Sequence, residues 1–573
     1  MARKLIKLKN TIKSKIAELD SFISNYSSST KTTTMPANAY MNWGIELAQS
    51  GDLNSAIDKL QTASLMAMKN PGVYINLGLA LMKQRNFEGA IKNFREALKV
   101  DKYNSKAYAL WATALSEIGD LKGATDIFKV AQKYEPRDPD IYLNWGVALA
   151  KANKKSEAEE KFKKALSLNP LNPVVPFLWG LLLIEQGKYK EAVHRFNHSL
   201  LYSENKADSL YYLALCYSKL QDYKNALKYV NDAIEENSKN VENYMLLADC
   251  YLNLGQEIEC LKAFKLAEEN AIPNYLFYMN WGLALQKYNY LDDAREKFFQ
   301  ALVLNPSDLH SLFNLGVNHL LLNENTQAEE YFEKVIHLEP THSKALYNIA
   351  AISYSRNDYD KALSFYFKSF ENNKRNYQIY FNIANCYYKK GCINDAKLYY
   401  KKCIEYCPDF IQAYINFADM LLDIGEYDQA QRKARAAYFI DKKSPYANFA
   451  YGVVLLKIGK NDDAIEKFES TLKLDNTYLL AHLGIVEAYY NKGMLDEVFD
   501  YFSTVLEFAN DIPEYLVLQN KILENIVNND KSSQEIIKHS LEYCNKFLQL
   551  YNNDIVSNFR DRLVYKINNE AEQ

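Results

Sequence analysis

From Ala37 onward, apolar residues return in two short bursts within every 34 residues. Each position can be given a phase, counted from Ala37 as phase 1. Around 139–172 the first burst carries Tyr142, Trp145, Gly146 and Leu149 at i, i+3, i+4 and i+7, one face of a helix. The second carries Ala158, Phe162 and Ala165 with the same spacing. Phase 8 is Gly or Ala in thirteen of fourteen copies, from Gly44 to Gly452, and only Val486 departs. Phase 20 is Ala in twelve copies, with Cys260 and Val498 as the exceptions. Small residues at these two phases let paired helices approach closely. Phase 15 is Gly in eight copies and Asn in four. Both residues tolerate the left-handed conformation that ends a helix, so a tight turn is expected there. Pro136, Pro170, Pro306, Pro340 and Pro408 share phase 32 and close the second helix. No insertion breaks the frame between 37 and 512.

This frame resembles the tetratricopeptide repeat, whose 34 residues carry Gly or Ala, then Ala, Phe, Ala and Pro at these intervals. The resemblance implies an all-α fold, a right-handed α-solenoid superhelix of about fourteen helix–turn–helix repeats. One departure is systematic. Tyr often stands at phase 4, as in Tyr40, Tyr74, Tyr108 and Tyr142. All five Trp (Trp43, Trp111, Trp145, Trp179 and Trp281) stand at phase 7, one turn beyond the usual large aromatic. The expected organisation is a basic amphipathic helix and Ser/Thr linker over 1–36, fourteen repeats over 37–512, and capping helices over 513–573. In the last region the register fades, but the stripes Leu518, Ile522, Ile526 and Ile537, Leu541, Cys544, Leu548, Tyr551 persist. A final helix is expected around 555–567. Terminal units of such arrays need a polar outer face, which gives these helices a capping role.

Composition narrows the function. The 573 residues carry a net charge of -3, which gives no reason to expect nucleic acid as a partner. With 13 Pro and 19 Gly, the chain has little turn punctuation and suits a helical array. No apolar run reaches the ~18–20 residues of a membrane span. The N-terminal stretch has six Lys/Arg before its first acid, Glu18, and an apolar stripe of Leu5, Leu8, Ile12, Ile16, Leu19 and Ile23. It reads as a helix packed on the first repeat, or as one that meets a partner or a membrane surface. A cytoplasmic setting is expected.

Phase 6 lies about 150° from the core phases of the first helix. It is Asn at Asn42, Asn76, Asn144, Asn280, Asn314, Asn348, Asn382 and Asn416, the last five in consecutive repeats. In proteins this chain resembles, the first helices line a concave groove and phase 6 faces into it. An amide donates and accepts at once, so a ladder of them can hold a peptide backbone. Similar ladders occur in the repeat arm of O-linked N-acetylglucosamine transferases. The competing reading is that these amides bridge neighbouring helices. In repeats 5–7 the run is replaced by Leu178, Tyr212 and Leu246. Their neighbours Phe177, Tyr211, Met245, Leu181 and Leu215 extend this into an apolar patch, a feature of partner sites. Half-burial between adjacent repeats is its alternative.

Catalytic and metal chemistry find little support. Cys386, Cys392, Cys403 and Cys407 fall within 22 residues, but Cys392 and Cys407 sit at opposite ends of one helix, about 22 Å apart. His194 and His198 lie opposite the Ala192–Phe196 core stripe and read as a surface pair. No phosphate-binding Gly loop, nucleophile elbow or HExxH is present. The Lys of a chaperone-tail clamp, expected at phase 5, is missing throughout. No cofactor or metal is expected, and the chain reads as a non-enzymatic scaffold for extended or helical protein segments. A targeting arm for a separate modifying enzyme, such as a glycosyltransferase, is the second reading. A self-assembling homo-oligomer is the third.

Overall fold

Each burst of apolar residues becomes a helix, and each phase-15 residue becomes the bend between two of them. In the computed structural model the described residues are 36–372, 376–506, 513–529 and 532–571. The stripe from Leu5 to Ile23 lies outside them. Among the described residues are 31 helices and no strand. Fourteen pairs run from Ala37–Ser50 with Leu53–Met66 to Leu479–Asn491 with Leu495–Thr504. Three further helices follow, Pro513–Asn528, Gln534–Leu550 and Asp554–Ala571. The fold is an all-α solenoid. It divides into two compact units, a first running to Tyr290 and a second from Leu291.

All fourteen phase-15 residues have positive φ, between 58° at Asn153 and 96° at Gly119. Gly and Asn take this conformation at little cost. Arg85 (φ 64°) and Gln221 (φ 61°) take it as well, so the frame overrides their own preference. The start of the second helix is then fixed by a side chain in several pairs. Asp120 accepts from the Gly123 N–H and Asp222 from the Asn225 N–H.

Inside a pair, the phase-8 glycine carries the ring at phase 24. A Cβ at Gly146 would stand 2.8 Å from Phe162, and one at Gly180 would stand 2.7 Å from Phe196. Both rings are buried to within 1 %. Three of the displaced Trp residues meet a cation at phase 23 of their own pair, whereas Trp111, with Ile127 at that phase, has Arg95 of the preceding pair over its ring at 4.7 Å. Lys59, Lys161 and Arg195 lie over Trp43, Trp145 and Trp179 at 4.8, 3.7 and 3.7 Å. At Leu213 and Ile383, where phase 7 is aliphatic, phase 23 is Tyr229 and Tyr399, which stack on Tyr217 and Tyr387, whereas Leu77 and Leu247 have Asn93 and Ala263 there. The cation over a Trp face serves where the indole N–H of Trp145 or Trp179 finds no hydrogen-bond partner.

The first unit's largest buried cluster spans Ala109 to Cys216. In the second unit the C-terminal helices share a core with the last pair, joining Val498 and Phe502 to Tyr515, Ile522, Phe547 and Leu563. Tyr515 and Tyr543 exchange a 2.8 Å hydrogen bond inside it, and Tyr543 donates to Gln519.

Candidate partner-binding face

The first helix of a pair buries phases 3, 7, 8, 10 and 11 in most repeats, which leaves phases 6 and 9 toward the opposite side. In the first unit Asn42 is exposed, and Asn76, Asn144 and Asn280 are half-buried. In the second unit Asn314, Asn348, Asn382 and Asn416 are all half-buried. None of the eight lies in the core, so the amides border the packed interior without joining it.

Their bonds divide them. The Asn382 Nδ2–H donates to Tyr347 Oη of the preceding repeat at 2.7 Å. Asn416 Nδ2 donates to Asn385 Oδ1 of its preceding repeat at 3.3 Å and accepts from Gln412 at 2.7 Å. Bridging between repeats is therefore real at these two positions. Among the described residues, the side chains of Asn314 and Asn348 make no hydrogen bond, nor do those of Asn42, Asn76, Asn144 and Asn280. A half-buried amide keeps two donors and an acceptor to satisfy. In the free chain, water fills that role.

The same face in repeats 11 and 12 carries polar groups at phases 9 and 13 as well, Asn385 and Asp419 at the first and Asp423 at the second. Asn385 Oδ1 accepts from the Tyr400 hydroxyl at 2.5 Å. The Tyr388 hydroxyl donates to the Asp423 carboxylate. Burial, and then Asp423, push the Tyr388 hydroxyl up to about 12. Asp419 keeps access to solvent, yet desolvation by the atoms around it, and then the Asp423 charge, raise its carboxyl to about 6. Solvent contact combined with desolvation describes a residue on a recessed wall rather than a projecting one.

The apolar set in repeats 5–7 is used differently. Phe177 meets Phe196 at 5.7 Å and Tyr212 at 5.6 Å, edge to face, and Tyr212 stacks on Phe196 at 5.5 Å. Leu178 and Leu181 pack against the same core. Tyr211, Leu215 and Met245 are half-buried, and burial raises the Tyr211 hydroxyl. Leu246 is 6 % exposed and offers no surface. Of the eight residues, seven are half-buried and only Leu246 is buried; Phe177 and Tyr212 join neighbouring repeats, and Tyr211 packs edge-on against Tyr212 at 5.2 Å.

All eight cysteines are free thiols. Burial pushes Cys386 and Cys403 up to about 12, which keeps them protonated and inert. His194 is exposed, and His198 packs edge-on against Tyr202. Among the described residues, no group of three or more His, Cys, Asp or Glu is placed to hold a metal ion. None of their helices is long and apolar enough to cross a membrane.

Stacked helix pairs that share one repeated frame define a class of protein, the helical-repeat scaffold for protein–protein interaction. Models of the tetratricopeptide repeat match residues 71–104, 139–172, 318–371, 377–410 and 399–432. The chain belongs to the tetratricopeptide-repeat family, and three of these matches fall on whole repeats of the frame counted from Ala37. A model of anaphase-promoting complex, cyclosome, subunit 3 matches residues 196–267. A search of curated protein sequences finds no match. Among solved structures, the chain is similar to the APC/C hetero-tetramer Cut9–Hcn1 at 15% identity, with 92% of this chain and 96% of that one covered and a TM-score of 0.41. Yeast Tom70 is matched at 16% identity over 87% of this chain and 98% of that one, with a TM-score of 0.34. A Parabacteroides merdae tetratricopeptide-repeat protein is matched at 17% identity over 43% and 98%, with a TM-score of 0.37.

Proposed function

We propose that the chain is a non-catalytic scaffold whose first helices hold an extended segment of a partner protein. The carrying observation is the pair of half-buried amides at Asn314 and Asn348, one per repeat on the same helical face, with no partner of their own. A peptide backbone offers the alternating N–H and C=O groups such amides need, and it does so whatever its sequence. Asn382 and Asn416 continue the row with part of their capacity already used between repeats. Eight unpaired thiols suit a reducing, cytoplasmic setting. The test is a peptide array of unstructured segments, probed with the full chain and with Asn314→Ala/Asn348→Ala. The bound peptides should lose about tenfold in affinity while the helical circular-dichroism signal and melting temperature hold. Unchanged binding by an intact fold would reject the amide row.

A second reading rests on the match of residues 196–267 to the anaphase-promoting-complex subunit model. That stretch includes Tyr211, Leu215 and Met245. It favours a standing subunit of a multiprotein assembly, held through the apolar patch. Native size in cell extract, with Tyr211→Ser/Met245→Ser as the disrupting variant, distinguishes a permanent complex from a transient peptide grip.

A further inference from the structure

Among the described residues, nothing covers one packing face of the first helix pair. Interior pairs close the same face with the pair before them. Ile141, Trp145 and Ala148, at phases 3, 7 and 10, are 0 %, 5 % and 3 % exposed. The Trp145 ring lies flat on Phe128 of the preceding second helix, with centroids 5.7 Å apart, and Trp281 lies on Phe264 in the same way at 5.6 Å. At these phases in the first pair, Ala39 and Trp43 are only half-buried and Glu46 is exposed. Trp43 has Lys59 over one face and Tyr40 beside it, both from its own pair. No described aromatic takes the place of Phe128.

The chain outside the described residues has the length, pattern and charge to fill that place. Leu5 to Ile23 would extend about 28 Å as a helix, enough to lie along the fourteen-residue Ala37–Ser50 helix of about 21 Å. The residues between Ile23 and Ala37 reach about 40 Å when extended, ample to double back across one helix. The stripe runs Leu5, Leu8, Ile12, Ile16, Leu19 and Ile23, with Phe22 beside it and Tyr26 one turn beyond. Glu46 stands where interior pairs have Ala80, Ala114 and Ala148. An acid at that phase suits a cover whose apolar stripe is flanked by six Lys/Arg before its first acid, Glu18. We propose that the segment Leu5–Ile23 docks on the face formed by Ala39, Trp43 and Glu46, in the position a preceding second helix holds elsewhere.

Hydrogen exchange on the full chain tests this. Amides in 5–23 and 37–50 should both be protected in dilute monomer. Ile12→Asp/Ile16→Asp should reduce protection in both segments at least tenfold and leave 139–168 unchanged. Ile12→Leu/Ile16→Leu should keep it. These variants touch no residue of the helix pairs, so misfolding of the solenoid does not confuse the result. Three outcomes overturn the proposal. The segment 5–23 exchanges like an unstructured chain. Its protection is lost on dilution, which assigns the face to a second copy. Its protection arises only on adding phosphatidylserine vesicles, which assigns the segment to a membrane surface.

Discussion

Repeats 5–7 and repeats 9–12 present the same helical face with opposite chemistry. In the first unit, phase 6 is Leu178, Tyr212 and Leu246, and these side chains are drawn into joining one repeat to the next. In the second unit it is Asn314, Asn348, Asn382 and Asn416, held at the border of the core. The backbone frame is unchanged, and both stretches keep the phase-15 turn. A position one turn outside the core can therefore be spent on cohesion between repeats or kept for a partner. A large apolar group folds onto the neighbouring repeat. An amide, which loses its water if buried unpaired, stays at the edge.

Making the second unit resemble the first should produce the largest effect. Replacing Asn314, Asn348, Asn382 and Asn416 together by Leu removes about 1 kcal/mol per amide from a bound backbone, so affinity for array-selected peptides should fall by a hundredfold or more. Fluorescence titration reads this, with the melting temperature as control. The reverse experiment comes next. Tyr212→Asn removes the ring stacked on Phe196 and should destabilise the first unit by about 2–3 kcal/mol, seen in urea unfolding. The turns give a smaller contrast. Arg85→Gly and Gln221→Gly each relieve a left-handed backbone and should stabilise the chain by about 1 kcal/mol. Asn323→Gly in the second unit should change it little, because Asn already accepts that conformation.

The smallest effect is one of pH. Asp419 has a folded value of about 6, above the ordinary aspartate range. The folded chain therefore takes up a proton more readily than the unfolded one, and stability should rise as pH falls from about 7 to about 4. Asp419→Asn should flatten that part of the melting-temperature profile. No aligned acid stands at phase 9 in repeats 9 and 10, where Val317 and Ala351 occupy the site.

Much of this contrast is legible in the letters. The 34-residue frame locates both helices of every pair and the turn between them, because small residues and left-handed residues are local requirements that leave a local mark. The separation of Tyr142, Trp145 and Gly146 from Asn144 also follows from helical geometry alone. What the frame hides is competition between neighbours. Nothing at Asn382 or Asn416 distinguishes them from Asn314, yet the former two are engaged by Tyr347, Asn385 and Gln412. The apolar patch has the same difficulty, since exposure of Tyr212 depends on Phe196 in another helix. Asn385 and Asp419 could have been found, for phase 9 shares the face of phase 6 and was read there only for its apolar members. The cation set over Trp43, Trp145 and Trp179 appears only when phase 7 and phase 23 are compared repeat by repeat.

That match has a consequence for how such a chain can change over generations. Trp145 has Lys161 over its ring and Leu213 accompanies Tyr229, so in these repeats the first helix is fitted to its own second helix, whereas Trp111 takes Arg95 from the pair before it. An exchange of genetic material that breaks between pairs keeps these matched sets together, though it parts rings that stack across pairs, such as Trp145 and Phe128. A break inside the phase-15 bend would join a tryptophan to a tyrosine suited to leucine, or set a lysine over an aliphatic side chain. For the repeats matched in this way the unit of inheritance is the helix pair, and its seam lies after the second helix rather than at the turn.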